Sequence, residues 1–233
     1  MAFATDSSLL RAVRAALAEL ADSERAAQQQ RYMKSAMPYH GVAMGDVRAI
    51  GARLCAQVDI SGFEDWRREV LGLWSGARFR EERYVAIQLC GERRAKAHQT
   101  LRALPLYEQL IVEGAWWDLV DELAIHRLGA LLQREPAPMR RELVAWSRCD
   151  NLWKRRSAIV SQVRAKARTD FELLAACIEP ALESNEFFLR KAIGWALRSY
   201  ADVDAPTVRA YVERHAERLS GLSKREALRK IGG

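Results

Sequence analysis

Apolar residues recur along most of the chain with the spacing of one face of an α-helix. The first such segment, DSSLLRAVRAALAEL, opens on a candidate helix cap at Asp6 or Ser7 and continues with a single apolar stripe. The residues of that stripe are Leu10, Val13, Leu17 and Leu20. Comparable stripes run through DVRAIGARLCAQV, DWRREVLGLW and TLRALPLYEQLIVEG, and no segment alternates as a β-strand does. Glycine (13) and proline (6) are scarce among the 233 residues, so the pattern predicts an all-α fold.

The dipeptide Ala-Ile marks a longer period along the chain. It begins at alanines that lie 38, 34 and 34 residues apart, namely Ala86, Ala124, Ala158 and Ala192. Each of these segments is followed by a second helical one: LPLYEQLIVEG, MRRELVAWS, FELLAACIEPALES and TVRAYVERHAERL. Helix pairs with this period are typical of HEAT or TPR solenoids, in which neighbouring repeats share a core. We therefore predict one domain over residues 1–233, an α-α superhelix of HEAT-like repeats with a concave binding face.

The net charge of +7 and the isoelectric point near 9.5 favour a polyanionic partner, such as nucleic acid or an anionic membrane surface. The basic residues concentrate in two successive repeats, within NLWKRRSAIVSQVRAKAR and FFLRKAIGWALRSY. The candidates for DNA contacts in these segments are Lys154, Arg155, Arg164, Lys166, Arg168, Arg190 and Lys191. A solvated helix face is the simpler explanation for a single charged helix. Two neighbouring repeats with the same feature favour a track for a phosphate backbone.

The four cysteines and four histidines are scattered, which predicts neither a zinc site nor a disulfide framework. This cysteine usage indicates reduced thiols and a cytoplasmic location. The N-terminal segment carries Asp6, Arg11 and Arg14 inside its apolar pattern, which is typical of an amphipathic helix rather than a signal peptide. No window holds 18 uncharged apolar residues, so we expect no membrane span.

The hexapeptide WWDLVD, residues 116–121, places two carboxylates beside two indoles in a basic chain. Trp117 and Asp121 are four residues apart and therefore share one helix face. Trp116 and Trp117 would point about 100° apart on a helix, so one is expected in the core and the other towards the groove. A carboxylate on a DNA-binding face repels phosphate, so Asp121 needs a further role or an arginine partner. Arg156 is the candidate partner.

Several segments together resemble the AlkD-type DNA alkylation repair enzymes, a family of DNA glycosylases built from HEAT-like repeats. The matching segments are RYMK (31–34), WWDLVD (116–121), DNLWKRRSAI (150–159), EFFLRKAIGWALRSYA (186–201) and LSKREALRKI (222–231). The resemblance implies that Trp117, Asp121, Arg156 and Trp195 form a catalytic pocket. It also implies that Tyr32 lies near the DNA. The first thirty residues and MPYHGV depart from the family pattern.

The resemblance further implies a base excision repair enzyme that acts, as a monomer and without base flipping, on double-stranded DNA containing alkylated purines. Alkylation at N3 or N7 makes the base a cationic leaving group, and its departure leaves an oxocarbenium-like sugar. A carboxylate and indole faces stabilise such a cation, so this chemistry requires no metal or redox cofactor.

Two alternatives share this composition. One is a catalytically silent HEAT-repeat DNA-binding protein, and the other is a scaffold whose basic face binds an acidic protein. Asp121 argues against the silent binder, because phosphate binding gains nothing from a carboxylate. Salt-dependent binding of duplex DNA would separate both DNA hypotheses from the scaffold.

Overall fold

The computed structural model describes residues 8–231, and every regular element in this range is a helix. The all-α prediction is therefore confirmed. None of the described helices combines the length and apolarity needed to cross a bilayer. Contacts along the chain divide it into two compact units, Met1–Arg102 and Ala103–Gly233, each with its own buried core.

The first unit holds α1 (Ser8–Glu19), α2 (Ser23–Met33), α3 (Met44–Cys55), α4 (Phe63–Gly76) and α5 (Arg80–Cys90). Helix α1 packs against α3, α4 and α5, and the first three residues of its predicted stripe are buried. Leu20, the fourth, is instead 48% exposed, because α1 ends one residue before it. The predicted cap at Asp6 or Ser7 lies outside the described residues.

Two buried glutamates in the first turn of α5 hold the first unit together. Glu81 accepts hydrogen bonds from the backbone N–H groups of residues 40–42, and so fixes the loop between α2 and α3. Glu82 accepts from Arg14 Nε of α1 at 2.7 Å and lies 3.6 Å from His40 Nε2. Burial raises the pKa of Glu82, but His40, Arg14 and the Arg78 N–H outweigh it and lower that pKa to about 2. The ionised carboxylate therefore stabilises the fold.

The helices of the second unit begin with α6 (Leu104–Gly114), α7 (Trp117–Leu123), α8 (Gly129–Arg134) and α9 (Pro136–Ser147). They continue with α10 (Leu152–Val160), α11 (Phe171–Ile178), α12 (Phe187–Ala201), α13 (Ala205–Arg214) and α14 (Gly221–Leu228). Alternate helices form two layers. In one, α7, α10, α12 and α14 pack side by side, and in the other α9 packs against α11. Each predicted helix pair of this unit is present, which is the arrangement expected of helical repeats.

Small residues set how closely the equivalent helices approach. Ala124, Ala158 and Ala192, which mark the repeat in this unit, are all buried. At Gly194 of α12, an added Cβ would lie 2.4 Å from the Cβ of Glu226 on α14. The glycine therefore permits a contact between α12 and α14 that a larger residue would push apart.

A π-helix over Ala124–Leu128 joins α7 to α8, a feature that the periodicity did not predict. Its wider turn is closed by the Gly129 N–H, which donates to the Ala124 carbonyl five residues earlier. A Cβ added at Gly129 would lie 2.6 Å from the carbonyl oxygen of Ser161, just after α10. Such π-turns frequently occur at functional sites. Here the π-helix follows directly on the helix that carries Asp121.

Candidate active site

Asp121 of α7 and Arg156 of α10 form a buried ion pair between two neighbouring helices of the same layer. Arg156 donates from Nε to Oδ1 and from Nη2 to Oδ2 of Asp121, both at 2.7 Å. The residues are 9% and 5% exposed, so the pair is largely removed from water. This two-point geometry is the strongest form of arginine–carboxylate contact. Arg156 is thus the partner that the sequence suggested for Asp121.

The electrostatics of Asp121 combine two opposed effects. Burial is the larger effect and raises the pKa of its carboxyl above the ordinary value, although the hydrogen bonds and the charge of Arg156 lower it. Asp118, one turn earlier, adds a small like-charge contribution that raises the pKa. The bidentate contact requires an acceptor at both oxygens, so the geometry corresponds to the ionised carboxylate.

Aromatic side chains hold the arginine in place from the side of α12. Arg156 Nη1 donates to the Phe188 carbonyl at 2.6 Å, and its guanidinium carbon lies 5.9 Å from the centroid of the Phe188 ring. The Phe188 ring lies 5.0 Å from that of Trp153 and 5.1 Å from that of Trp116. Sequence reasoning did not identify this aromatic cluster, since nothing in the periodicity brings Trp116, Trp153 and Phe188 together.

Trp116 takes a different position from the one the sequence predicts. It is the N-cap of α7 in an extended conformation, because Ala115 ends α6 with a left-handed backbone at φ 41°. The two indoles of WWDLVD are therefore not consecutive positions of one helix, and the expected 100° separation does not apply. Trp116 packs in the aromatic cluster, while Trp117, the first residue of α7, joins no ring stack among residues 8–231.

Trp117 is the first residue of α7, whereas Trp195 lies on α12, which packs against α10. Both are half-buried. Trp117 and Asp121 share one face of α7, as their spacing predicts. Trp195 follows Phe188 by seven residues of α12, so the two lie within about 20° of each other and about 10 Å apart along the axis. The layer order α7, α10, α12 thus places the four candidate residues on three neighbouring helices.

Two of the basic candidates on α10 already have partners. Lys154 Nζ lies 2.5 Å from Glu108 Oε1 and 4.8 Å from the centroid of the Trp146 ring. Arg155 donates from Nη2 to the Pro180 carbonyl at 3.1 Å. Each contact fixes the side chain, and the first also neutralises its charge.

The two basic candidates on α12 are likewise engaged. Arg190 donates from Nε to the Ser184 carbonyl at 2.8 Å. Lys191 Nζ donates to Glu226 Oε1 at 2.9 Å, and Arg198 donates to the other oxygen of the same carboxylate. The tail motif LSKREALRKI therefore supplies, through Glu226, a carboxylate that balances two cations of α12. A phosphate would have to compete with it for Lys191.

The remaining candidates are exposed. Arg164 contacts His126 at 3.4 Å, while the side chains of Lys166 and Arg168 make no hydrogen bond or ion pair with any residue in the described part of the chain. These three cations lie in the turns that follow α10. They are the predicted contacts with the most freely available charge.

Tyr32 belongs to α2 of the first unit, where its side chain is 78% exposed. An exposed aromatic ring is available to a ligand, and its predicted place near DNA stays a prediction. Across residues 8–231, no group of three or more His, Cys, Asp or Glu side chains is placed to hold a metal ion.

Comparisons with known proteins define first the fold and then the family. A solved structure described as a predicted DNA alkylation repair enzyme from Enterococcus faecalis superimposes with a TM-score of 0.82 at 26% identity. The match covers 91% of this chain and 96% of that one. The family model for DNA alkylation repair enzymes matches residues 13–231. The chain therefore belongs to the DNA alkylation repair enzyme family. No curated protein matches its sequence.

Proposed function

We propose that this protein is a DNA glycosylase of the AlkD type, which hydrolyses the N-glycosidic bond of cationic N3- and N7-alkylated purines in duplex DNA. Family membership supports a role in alkylation repair and DNA as the substrate. The single observation that carries the glycosylase assignment is the buried Asp121–Arg156 pair, whose carboxylate shares one face of α7 with Trp117. An ionised carboxylate held in place on the same helix face as an indole is suited to a developing positive charge.

The main requirement of this reaction is electrostatic stabilisation of the transition state. An alkylated purine already carries positive charge, so it leaves without protonation, and the positive charge then develops on the deoxyribose. Asp121 supplies the opposite charge in a site with little water, where it counts for more than in bulk solvent. Trp117 and Trp195 offer electron-rich faces to the same cation.

The pairing with Arg156 limits which catalytic roles Asp121 can perform. Both carboxylate oxygens accept from the guanidinium, and 13% of the Asp121 side chain is exposed. Each oxygen keeps one lone pair, which is enough to orient a water molecule. The geometry therefore favours Asp121 as an electrostatic stabiliser that aligns the attacking water. Arg156 fixes its orientation.

The fixed site favours recognition of the sugar and backbone over that of a flipped base. The candidate side chains are a carboxylate, a guanidinium and indole faces, which suit a sugar cation and phosphates rather than the hydrogen-bonding edge of a purine. We therefore propose that the base stays in the duplex during cleavage, within base excision repair.

The assay is release of 7-methylguanine from methylated duplex DNA, with duplex binding measured alongside. The proposed enzyme binds and releases base. A silent DNA-binding protein would bind in a salt-dependent manner without release, and a scaffold would do neither. Either of those two outcomes would refute the glycosylase assignment.

A further inference from the structure

A second polar cluster lies along the same helix–helix contact as the Asp121–Arg156 pair. The helix formed by α7, the π-helix and α8 runs beside α10 and the turn after it. Asp121 contacts Arg156, and five residues on, His126 contacts Arg164 at 3.4 Å. Gly129 lies close to Ser161 at the same contact between the two segments. Both polar pairs therefore join the same two segments, the helix of residues 117–134 and α10 with its following turn. The His126–Arg164 pair lies further towards the C-terminal end of both segments than the Asp121–Arg156 pair.

A cleft of about 170 Å³ opens at the second of these pairs. Its polar lining comes from His126, Gln133, Ser161, Gln162, Arg164 and Arg168. One water needs only about 10–15 Å³ of such space, so the cleft accommodates a phosphate group with some hydration. Both arginines are exposed and neither is held by a carboxylate among residues 8–231.

The charges around His126 are of both signs. Its Nε2 lies 3.6 Å from Glu122 Oε2 and 3.4 Å from Arg164 Nη1. Burial lowers the pKa of His126, Glu122 raises it, and Arg164 and Arg127 lower it further. Of the elements that pack against the π-helix, α8 adds the neutral Gln133 to the cleft, and α6 adds no charged residue to its described lining. The imidazole of the unliganded protein is therefore neutral at neutral pH.

We infer that this cleft binds one backbone phosphate of duplex DNA, held by Arg164 and Arg168 with His126 as a third, pH-dependent donor. The inference rests on the proposed function only in taking duplex DNA as the ligand. The paired guanidinium groups are the donors that phosphate oxygens prefer. The cleft also lies within reach of the ion pair, because five helical residues span about 7.5 Å.

The bound phosphate changes the protonation of His126. A phosphate at hydrogen-bonding distance favours the imidazolium and raises the pKa of the bound state above that of the free state. DNA binding then takes up a proton, so affinity rises as the pH falls through this interval. Glu122 neutralises part of the added charge, and the effect is therefore at most that of one phosphate contact.

The test is the salt dependence of binding to an undamaged fluorescent duplex, between about 50 and 200 mM salt, for single variants. Because Arg164 and Arg168 hold the same phosphate, Arg164→Gln and Arg168→Gln should each lower the log–log salt slope at pH 7.5 by part of the roughly one unit that a single phosphate contributes. His126→Gln should match the wild type at pH 7.5. At a fixed salt concentration the wild type should bind more tightly at pH 5.5 than at pH 7.5, and His126→Gln should not.

The matched control is Arg141→Gln, because Arg141 is an exposed arginine on α9 in the other helix layer. Its slope should equal that of the wild type. Slopes of Arg164→Gln and Arg168→Gln that also equal the wild type would overturn the inference. In a second experiment, the protein is titrated with inorganic phosphate alone, and binding is monitored by the NMR signals of His126. Saturation at micromolar phosphate without any change in the DNA slopes would assign the cleft to a free anion and reject a DNA contact.

Base release by the wild type separates this inference from the proposed function. If the wild type releases 7-methylguanine while the arginine variants keep their salt slopes, the cleft assignment fails and the glycosylase assignment stands. If the slopes change but no base is released, the phosphate site stands and the glycosylase assignment fails.

Discussion

Replacing Asp121 with asparagine changes one atom's identity and one charge in the centre of the candidate site. The carboxylate accepts two hydrogen bonds of 2.7 Å from Arg156, whose guanidinium is itself buried at 5% exposure. An asparagine offers one acceptor, and turns its amide N–H₂ towards a cation that needs a second. Asp121→Asn therefore leaves a buried positive charge without its counterion.

Two effects follow, and their magnitudes can be separated. Removing one partner of a buried ion pair costs about 3–5 kcal/mol of folding stability, which corresponds to a shift of roughly 2 M in the urea midpoint. In catalysis, the lost carboxylate faces the sugar cation only in the transition state. At about 4 Å and an effective dielectric constant near 20, that interaction is worth on the order of 4 kcal/mol, or a slowing of up to roughly a thousandfold.

Urea unfolding and single-turnover release of 7-methylguanine, both at a temperature where the variant is folded, measure the two effects. Asp118→Asn is the matched control, because it makes the same change one turn earlier at a half-buried position of α7. That control should lose less stability than Asp121→Asn, because a half-buried carboxylate keeps part of its contact with water. Base release by Asp121→Asn at the wild-type rate would exclude Asp121 as the catalytic carboxylate. Equal urea midpoints for the two variants would refute the buried ion pair.

Three further predictions concern the indole, the π-helix and pH. Trp195→Ala should slow base release by about 2- to 30-fold with duplex affinity kept, as expected from a cation–π contact of about 0.5–2 kcal/mol, and an unchanged single-turnover rate would remove Trp195 from the site. Gly129→Ala should lower the free energy of unfolding by about 1–3 kcal/mol, because its Cβ would meet the Ser161 carbonyl at 2.6 Å; an unchanged urea midpoint would contradict this. The stabilisation from Glu82 should be complete above pH 4.5 and lost as the pH falls towards 2, since folding lowers its pKa from 4.5 to about 2. Between pH 4.5 and 2, the free energy of unfolding of Glu82→Gln should fall by about 3 kcal/mol less than that of the wild type. An equal fall in the two proteins would disprove the lowered pKa of Glu82.

The local patterns of the sequence carry a large part of the fold. Helical periodicity and the scarcity of glycine and proline predict the all-α fold, because burial of one face every 3.6 residues is a local property. The Ala-Ile period identifies the equivalent helices, since their contact faces need small residues. The i, i+4 relation of Trp117 and Asp121 also follows from helix geometry alone.

Other features depend on contacts between residues far apart in the chain. The left-handed Ala115 removes Trp116 from α7, and the π-helix at 124–128 accommodates the close approach of Gly129 to Ser161; neither has a sequence pattern of its own. Charge availability behaves in the same way. From the sequence, Lys191 and Arg168 are equally good candidates for a DNA contact. In the structure, Glu226 of α14 neutralises Lys191, whereas Arg168 contacts no carboxylate in the described range.

The sequence by itself determined the helical repeat, the basic character and the residue types available for chemistry, because these depend on composition and on spacing within single helices. Only the tertiary structure decided which carboxylate meets which guanidinium. Asp121 and Arg156 are 35 residues apart and come within 2.7 Å because α7 and α10 are neighbours in one layer. Hydrogen bonding and desolvation act over a few ångströms, so the charge, exposure and orientation of these side chains are fixed by packing between helices rather than by order along the chain.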